Sequence, residues 1–272
     1  MAEGGNSHRR IGGANPGRDS DGGTSERPID SGEWIKSAES LHQHMPRDTA
    51  SEAALKRIIG EATEELQGRE RARDEVLDRA RKARQLSKQA IMLDHGRDPV
   101  KAAENLAEAR RLLEETAPHL HDYPELAFYE EVEAAHEEHA EAWILHALLR
   151  SETYPTPVEA GADVLAYIMG LGDVPGELRR EALDDLRTGE LAKAEAHLAE
   201  MEEIFLHLVA MEDASLLKGL RRKLDIARSL IEATRSEVTA ETGRRRLAET
   251  LEGLTDRLQA EGPKRQRGNK LS

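Results

Sequence analysis

The sequence has 272 residues, a formal net charge of −14, only 3% aromatic residues and no cysteine. The lack of cysteine excludes disulfides, thiolate metal sites and cysteine nucleophiles. No apolar run approaches the length of a membrane span and none follows the start of the chain, so we expect neither a membrane helix nor a secretory signal, and we predict a cytoplasmic protein.

The first part of the chain has the composition of an unfolded segment. Residues 1–32 are rich in glycine, serine and charged residues and carry almost no large apolar side chain. Such a segment cannot bury enough surface to offset the entropy lost on ordering, which predicts a disordered tail. Residues 33–48 are predicted to form a short helix and linker, because apolar side chains recur there at helical spacing: Trp34, Ile35, Ala38, Leu41 and Met45.

Residues 49–260 are predicted to form a single all-α bundle of about seven helices. Alanine, leucine, glutamate and arginine dominate this part, and no long stretch alternates with a period of two, which argues against a sheet. Local signals predict helix ends at Gly96 and Gly189. Helix starts are predicted at Asp98–Pro99 and at Thr156–Pro157, where a capping side chain precedes a proline.

Two glutamates lie within the apolar stripe of the helix predicted from about residue 124 to residue 150. At about 100° per residue, the apolar positions of this segment cluster around Glu138, and Glu141 lies at the edge of the same stripe. Buried like charges repel each other and lose hydration. This pair therefore needs a proton, a cationic side chain or a metal ion.

Three interpretations of the glutamate pair are open from the residues alone. Glu138 pairs with an arginine of another helix, or the two carboxylates hold a divalent cation, since Mg²⁺, Mn²⁺ and Ca²⁺ prefer oxygen ligands. A di-iron bundle is the third. It normally needs a Glu-x-x-His motif on each of two helices, and it is disfavoured because Glu133 and His136 face away from the stripe while no second motif is present.

Four stretches in order along the chain resemble the translin family. "EEHAEA" (137–142) is similar to that family's Q-E-Y-V-E-A segment, and "AYIMGLGDVPGELRREALDDLRTGE" (166–190) is similar to its archaeal Y-L-x-G-L-A-D-x-x-G-E-L-R-R pattern. "LRRKLDIARSLIEATRSEVT" (220–239) matches its C-terminal helix, and "RQLSKQAIMLDHGRD" (84–98) resembles the end of its first helix. The resemblance covers roughly residues 50–240.

The resemblance implies a fold, a ligand and an activity. Members of the family are all-α, assemble into closed octameric shells that hold RNA, and include metal-dependent endoribonucleases. The chain is therefore expected to bind RNA, with single-stranded DNA as a second ligand. It is expected to form a homo-oligomer, such as an octamer-like shell, or a hetero-oligomer with a paralogous chain.

The resemblance also implies a catalytic set. In the active members, the glutamate pair acts together with an acid from a Gly-Asp dipeptide, and that dipeptide is Gly189–Glu190 in this chain. Glu138, Glu141 and Glu190 are thus the implied catalytic residues and ligands of Mg²⁺ or Mn²⁺. Glu177 is interpreted instead as the structural partner of Arg179 or Arg180.

Basic side chains form two local clusters in an acidic chain. Lysine supplies only 10 of the 39 basic residues, a composition typical of halophilic proteins, although an ordinary acidic bacterial protein is the alternative. RNA must then bind to a local basic surface, for which the tail 261–272 is a further candidate. A solvated face of ion pairs is the other interpretation of these clusters. The candidate nucleic-acid-binding residues are Arg79, Arg81, Arg84, Lys88, Arg221 and Arg222.

The sequence thus predicts an RNA-binding, translin-like protein that is a divalent-metal-dependent endoribonuclease in an oligomeric shell. Two alternatives are open. One is a non-catalytic scaffold that binds RNA or single-stranded DNA, and the other is a helical adaptor with no nucleic-acid role.

Overall fold

The computed structural model describes residues 49–260, and within that range all regular structure is helical. The prediction of an all-α protein is confirmed. The predicted tail 1–32, the predicted helix and linker 33–48 and the basic tail 261–272 lie outside the described residues. The described helices are α1 (Thr49–His95), α2 (Pro99–Glu114), α3 (Ala117–Asp122), a 3₁₀ helix (Pro124–Phe128), α4 (Glu130–Leu148), α5 (Val164–Leu171), α6 (Val174–Thr188), α7 (Leu191–Val209) and α8 (Leu220–Ala260).

The chain divides into two units, with the boundary between Glu61 and Ala62. The described part of the first unit is the start of α1, which is exposed to solvent and carries an ion pair between Arg57 and Glu61 at 3.1 Å. The second unit contains the packed helices. No helix in the described range is long and apolar enough to cross a membrane.

Local capping chemistry sets several helix ends. The side chain of Asp98 accepts a hydrogen bond from the backbone nitrogen of Lys101 at 3.3 Å and starts α2, as predicted. Gly189 has φ +83°, which suits glycine, and ends α6, also as predicted. The predicted start at Thr156–Pro157 is wrong, because those residues form a turn and α5 starts later, where Asp163 accepts from the backbone nitrogen of Ala166.

Two groups of buried apolar side chains form the core of the second unit. The larger group contains side chains from all five helices α4 through α8 and from parts of α1 and α2. It includes Ile144, Leu145 and Leu178. The smaller group joins the middle of α1 to α2, the 3₁₀ helix and the first half of α4, and includes Val76 and Leu126. Truncating a buried leucine to alanine costs about 2–5 kcal/mol in such cores. Helix α4 belongs to both groups, so packing holds it along its whole length.

Helix α5 packs directly on α4 because of a single glycine. A Cβ atom on Gly170 would lie 2.6 Å from the carbonyl oxygen of Glu137 and 2.8 Å from the backbone nitrogen of Glu141, which is closer than real Cβ atoms approach other atoms. Glycine is therefore needed here for the two backbones to meet. This contact brings the chain that follows α5 to the pocket at Glu141.

A candidate metal and nucleic-acid site

Helices α4, α6 and α8 enclose a pocket of about 300 Å³ that is rich in carboxylates. Helix α4 contributes Glu138 and Glu141, which the sequence predicted to face the interior. The remaining charged side chains were not among the predicted site residues. Asp173 and Glu177 come from the junction of α5 with α6, and Lys223 comes from α8. Four carboxylates and one ammonium group thus meet around one space.

Glu141 is the most buried acid of this pocket, with 8% of its surface exposed. Burial raises the pKa of Glu141 well above its usual value, and the nearby carboxylates Asp173, Glu138 and Glu177 raise it further. No hydrogen bond or ion pair within the described residues involves its carboxyl group. Its free energy in the ionised form would therefore fall sharply if a cation entered the pocket.

Glu138 has cationic partners, in part as the arginine interpretation predicted. Its Oε2 lies 3.4 Å from Nε of Arg84 and 3.7 Å from Nζ of Lys88, both on α1, and its side chain is 16% exposed. These distances are long for ion pairs, and both cations are largely exposed to solvent, so each contact contributes little to stability. Glu138 can therefore exchange these weak ion pairs for contact with a divalent cation at little cost in stability.

Lys223 neutralises part of the pocket. Its ammonium group donates to Asp173 at 2.6 Å, to Glu137 at 3.0 Å and to the carbonyl oxygen of Met169 at 3.0 Å. Burial lowers the pKa of Lys223, but the hydrogen bonds to Asp173 and Glu137 outweigh this effect and raise it. The lysine therefore stays charged and holds Asp173 at the pocket wall.

Glu177 is bound to a histidine, and no ion pair within the described residues joins it to Arg179 or Arg180, the two partners predicted for it. Its Oε2 lies 2.6 Å from Nε2 of His95, at the end of α1. Arg179 pairs instead with Glu237 of α8, at 3.1 Å. Asp173 and Glu177 are four residues apart, the spacing of neighbours on one helical face, and this was the signal in the sequence that marked them as a pair.

Glu190, the third implied ligand, lies elsewhere. It precedes α7, its side chain is 53% exposed, and it is 3.5 Å from Nζ of Lys193. It is not among the residues that line the pocket. Across residues 49–260, no three carboxylate or imidazole side chains are arranged to hold a metal ion as they stand.

The predicted basic residues fall into two classes. Arg84 and Lys88 lie beside the pocket, and Arg81 and Arg222 are exposed with no ion pair to any described residue. The others are already neutralised: Arg79 pairs with Glu75 and Glu115, and Arg221 pairs with Glu212 and Asp213. The surface next to Glu138 is therefore the better candidate for binding phosphate.

The histidines of α4 have separate environments. His139 is completely buried beside Trp143, and burial lowers its pKa to about 4, so it is a neutral residue of the core. His146 pairs with Asp94 at 2.9 Å. His136 and Glu133 line a different pocket, which agrees with the prediction that they face away from Glu138. None of these side chains lines the carboxylate pocket.

Comparison with known proteins identifies relatives of this chain. No protein-family profile matches it. An uncharacterized protein of Methanocaldococcus jannaschii is 39% identical over 72 residues, which are 26% of this chain and 32% of that protein. The match therefore spans only about a third of the length of that curated relative.

Similarity to solved structures extends over most of their length. The structure of AfC3PO in complex with duplex RNA is 34% identical, covers 69% of this chain and 97% of its own, and has a TM-score of 0.63. The crystal structure of AfC3PO alone gives 34% identity, a TM-score of 0.62 and coverage of 69% and 98%. The crystal structure of apo-NeC3PO gives 26% identity, a TM-score of 0.62 and coverage of 67% and 96%.

Proposed function

Because this chain belongs to the translin family, as the C3PO proteins do, we propose that it binds RNA and cleaves it with a divalent metal ion. The observation that carries the proposal is the pocket between α4, α6 and α8, where four carboxylates meet beside basic side chains of α1. The complex of AfC3PO with duplex RNA supports RNA as the ligand.

The donor groups of the pocket fit a hard divalent cation. Carboxylate oxygens are the ligands that Mg²⁺ and Mn²⁺ prefer, and the pocket contains no competing thiol or imidazole. The buried carboxyl group of Glu141, which lacks a partner among the described residues, is the strongest reason to expect a cation. We propose Glu138, Glu141, Asp173 and Glu177 as the ligands, in place of the set with Glu190. Side chains must rotate for them to converge.

Different residues in and beside the pocket have different roles in the proposed reaction. A divalent cation held by Glu138, Glu141, Asp173 and Glu177 would supply an activated water and neutralise charge that develops on the phosphoryl oxygens. Lys223 orients Asp173 by a direct hydrogen bond. Arg84 and Lys88 bind phosphates of the RNA backbone next to Glu138. Because aromatic residues are scarce, base stacking contributes little and sequence preference is weak.

Further parts of the proposal rest on the family alone. We propose an oligomer, with an octamer-like shell or a pairing with a paralogous chain as its forms, and single-stranded DNA as a second ligand. A cytoplasmic location and adaptation to high salt are two further proposals, which rest on the sequence of this chain and not on the family.

A non-catalytic RNA-binding scaffold is the second candidate. Two observations favour it: Lys223 already neutralises Asp173, and no three ligands within residues 49–260 are arranged for a metal ion as they stand. The two candidates share the RNA-binding surface and differ only in cleavage.

Filter binding of labelled RNA at several salt concentrations tests the shared surface. Replacing Arg84 and Lys88 with glutamine is expected to weaken binding to all sequences and to reduce the salt slope by roughly one unit per lost phosphate contact. Arg79→Gln is the matched control, because its partners Glu75 and Glu115 already neutralise that arginine. An unchanged salt slope in the double variant would mean that RNA binds elsewhere on the protein. If wild type bound no RNA, both candidates would be wrong and the helical adaptor without a nucleic-acid role would be favoured.

Cleavage of the same RNA with Mg²⁺, and with EDTA, separates the two candidates. We expect shortened RNA only with Mg²⁺, and none from Glu141→Gln. RNA that wild type binds but leaves intact with either Mg²⁺ or Mn²⁺ would favour the scaffold.

A further inference from the structure

Both ring nitrogens of His95 contact carboxylates, of which that of Glu181 is buried and that of Glu177 is partly exposed. His95 lies at the end of α1 with 4% of its side chain exposed. Its Nε2 lies 2.6 Å from Oε2 of Glu177, and its Nδ1 lies 2.5 Å from Oε1 of Glu181. A carboxylate can only accept these hydrogen bonds, so the ring donates from both nitrogens and carries a positive charge. The histidine therefore links the wall of the pocket to the interior of the protein.

Glu181 anchors the histidine from the interior side. Its side chain is 1% exposed, and its second oxygen, Oε2, lies 2.7 Å from Nη2 of Arg97. Burial alone would raise the pKa of Glu181, but the hydrogen bond from His95 and the charge of Arg97 hold it below its usual value. Because Glu181 is fixed in this way, the ring of His95 has little freedom to turn. The ring in turn restricts the movement of Oε2 of Glu177.

We propose that His95 is a positioning residue that fixes the orientation of Glu177 for metal binding in the pocket. The bond from His95 occupies only Oε2 of Glu177 and leaves Oε1 without a hydrogen bond among the described residues. A ligand carboxylate that is held by a charged donor needs less reordering when it binds a cation. Loss of such supporting contacts usually weakens metal affinity about 10- to 100-fold. The inference rests on the proposed function.

A second buried histidine offers a comparison within the same protein. His146 of α4 pairs with Asp94, the residue before His95, at 2.9 Å, and both side chains are nearly as buried as those of His95 and Glu181. Neither His146 nor Asp94 lines the carboxylate pocket. A purely structural role for His95 would make the two histidines equivalent in their effect on metal binding.

Titration of Mn²⁺ into the full chain, followed by the electron paramagnetic resonance signal of free Mn²⁺, tests the inference. His95→Gln is expected to weaken Mn²⁺ binding about tenfold or more. His146→Gln should lower thermal stability to a similar extent and leave Mn²⁺ affinity within about twofold of wild type. In a Glu177→Gln background, His95→Gln should cause no further loss of affinity. If His95→Gln does not fold, Glu181→Gln, which releases the ring from the other side, carries the same comparison.

The outcomes separate this inference from the proposed function. Wild type that binds no Mn²⁺ would overturn both. Wild type that binds Mn²⁺, with His95→Gln equal to wild type or to His146→Gln, would overturn the positioning role and leave the metal site standing. A further loss of affinity in the Glu177→Gln background would also overturn it, because His95 would then act through another group.

Discussion

The two ends of helix α6 carry acidic residues in opposite environments. At its start, Asp173 and Glu177 line the pocket, and each is held by a largely buried cation, Lys223 or His95. After its end, Glu190 is half-exposed, and its ion pair is with Lys193, a neighbour in sequence. The residue type is the same, but only the start of α6 places its acids beside acids of another helix.

This difference shows that a candidate metal site requires packing between helices, because the presence of an acidic residue alone does not create one. Gly170 brings α5 onto α4, and the turn that follows carries Asp173 to Glu141. Each acid of this cluster raises the free energy of the others, which is why a cation would bind there. Around Glu190, water already solvates the charge, so a cation would gain much less.

The largest expected effect is on RNA cleavage, where an acid at the start of α6 and the acid after its end should differ. Glu177→Gln removes a proposed ligand and is expected to reduce the Mg²⁺-dependent cleavage rate by at least about 100-fold. Glu190→Gln should stay within about twofold of wild type, because that side chain does not line the pocket. Single-turnover cleavage of labelled RNA measures both rates. Equal losses in the two variants would break the comparison.

His95, the buried histidine at the end of α1 that contacts α6, should make stability depend on pH. Burial lowers the pKa of His95, but the hydrogen bonds to Glu177 and Glu181 outweigh it and raise the pKa to about 9. Its folded-state pKa is thus above the unfolded value, so its contribution is complete below about pH 6.5 and is lost as pH rises to about 9. The loss is up to about 3 kcal/mol.

Urea denaturation in EDTA at pH 6.5, 7.5 and 9 measures this effect. The free energy of unfolding of wild type should fall relative to that of His95→Gln over this range. Glu141, whose raised pKa also favours the protonated form, titrates in both proteins and cancels in the difference. Parallel curves for the two proteins would mean that His95 is neutral.

Two glycines test the backbone at each end of α6, with opposite expected signs. Gly189→Ala should lower stability by about 1–2 kcal/mol, because φ is +83° there. Gly176→Ala should raise it by up to about 1 kcal/mol, since a helical Cβ atom there would meet only Leu230, at 3.9 Å. Chemical denaturation of both variants checks the signs. A stabilised Gly189→Ala would show that the cap can relax.

Much of the fold follows from local sequence signals. The start of α2 at Asp98–Pro99 and the end of α6 at Gly189 depend on a few neighbouring atoms, so residue types predict them. The error at Thr156 has a local cause as well. Its hydroxyl and backbone bind Glu159 as a helix cap would, but the chain makes only a turn there. Capping chemistry alone is therefore not sufficient to start a helix.

The candidate site could be predicted only where one helix supplies it. Glu138 and Glu141 share α4, so their spacing alone places them on one face. His95 and Lys223 come from α1 and α8, and no spacing along the chain relates them to α4. Their meeting depends on how five helices pack. The pair Asp173 and Glu177 is intermediate, because its i,i+4 spacing was visible in the sequence but its orientation was not.

The central claim is that the carboxylate pocket binds a divalent cation. Thermal melting of wild type, Glu141→Gln and Glu190→Gln, each with Mg²⁺ and with EDTA at matched ionic strength, tests it most directly. A ligand at 100 times its dissociation constant stabilises the folded state by about 2.7 kcal/mol, which raises the melting temperature of a domain of this size by several degrees. We expect this rise in wild type and Glu190→Gln, no rise in Glu141→Gln, and a higher melting temperature for metal-free Glu141→Gln than for metal-free wild type. A wild type that does not respond to Mg²⁺, together with a destabilised Glu141→Gln, would contradict the account.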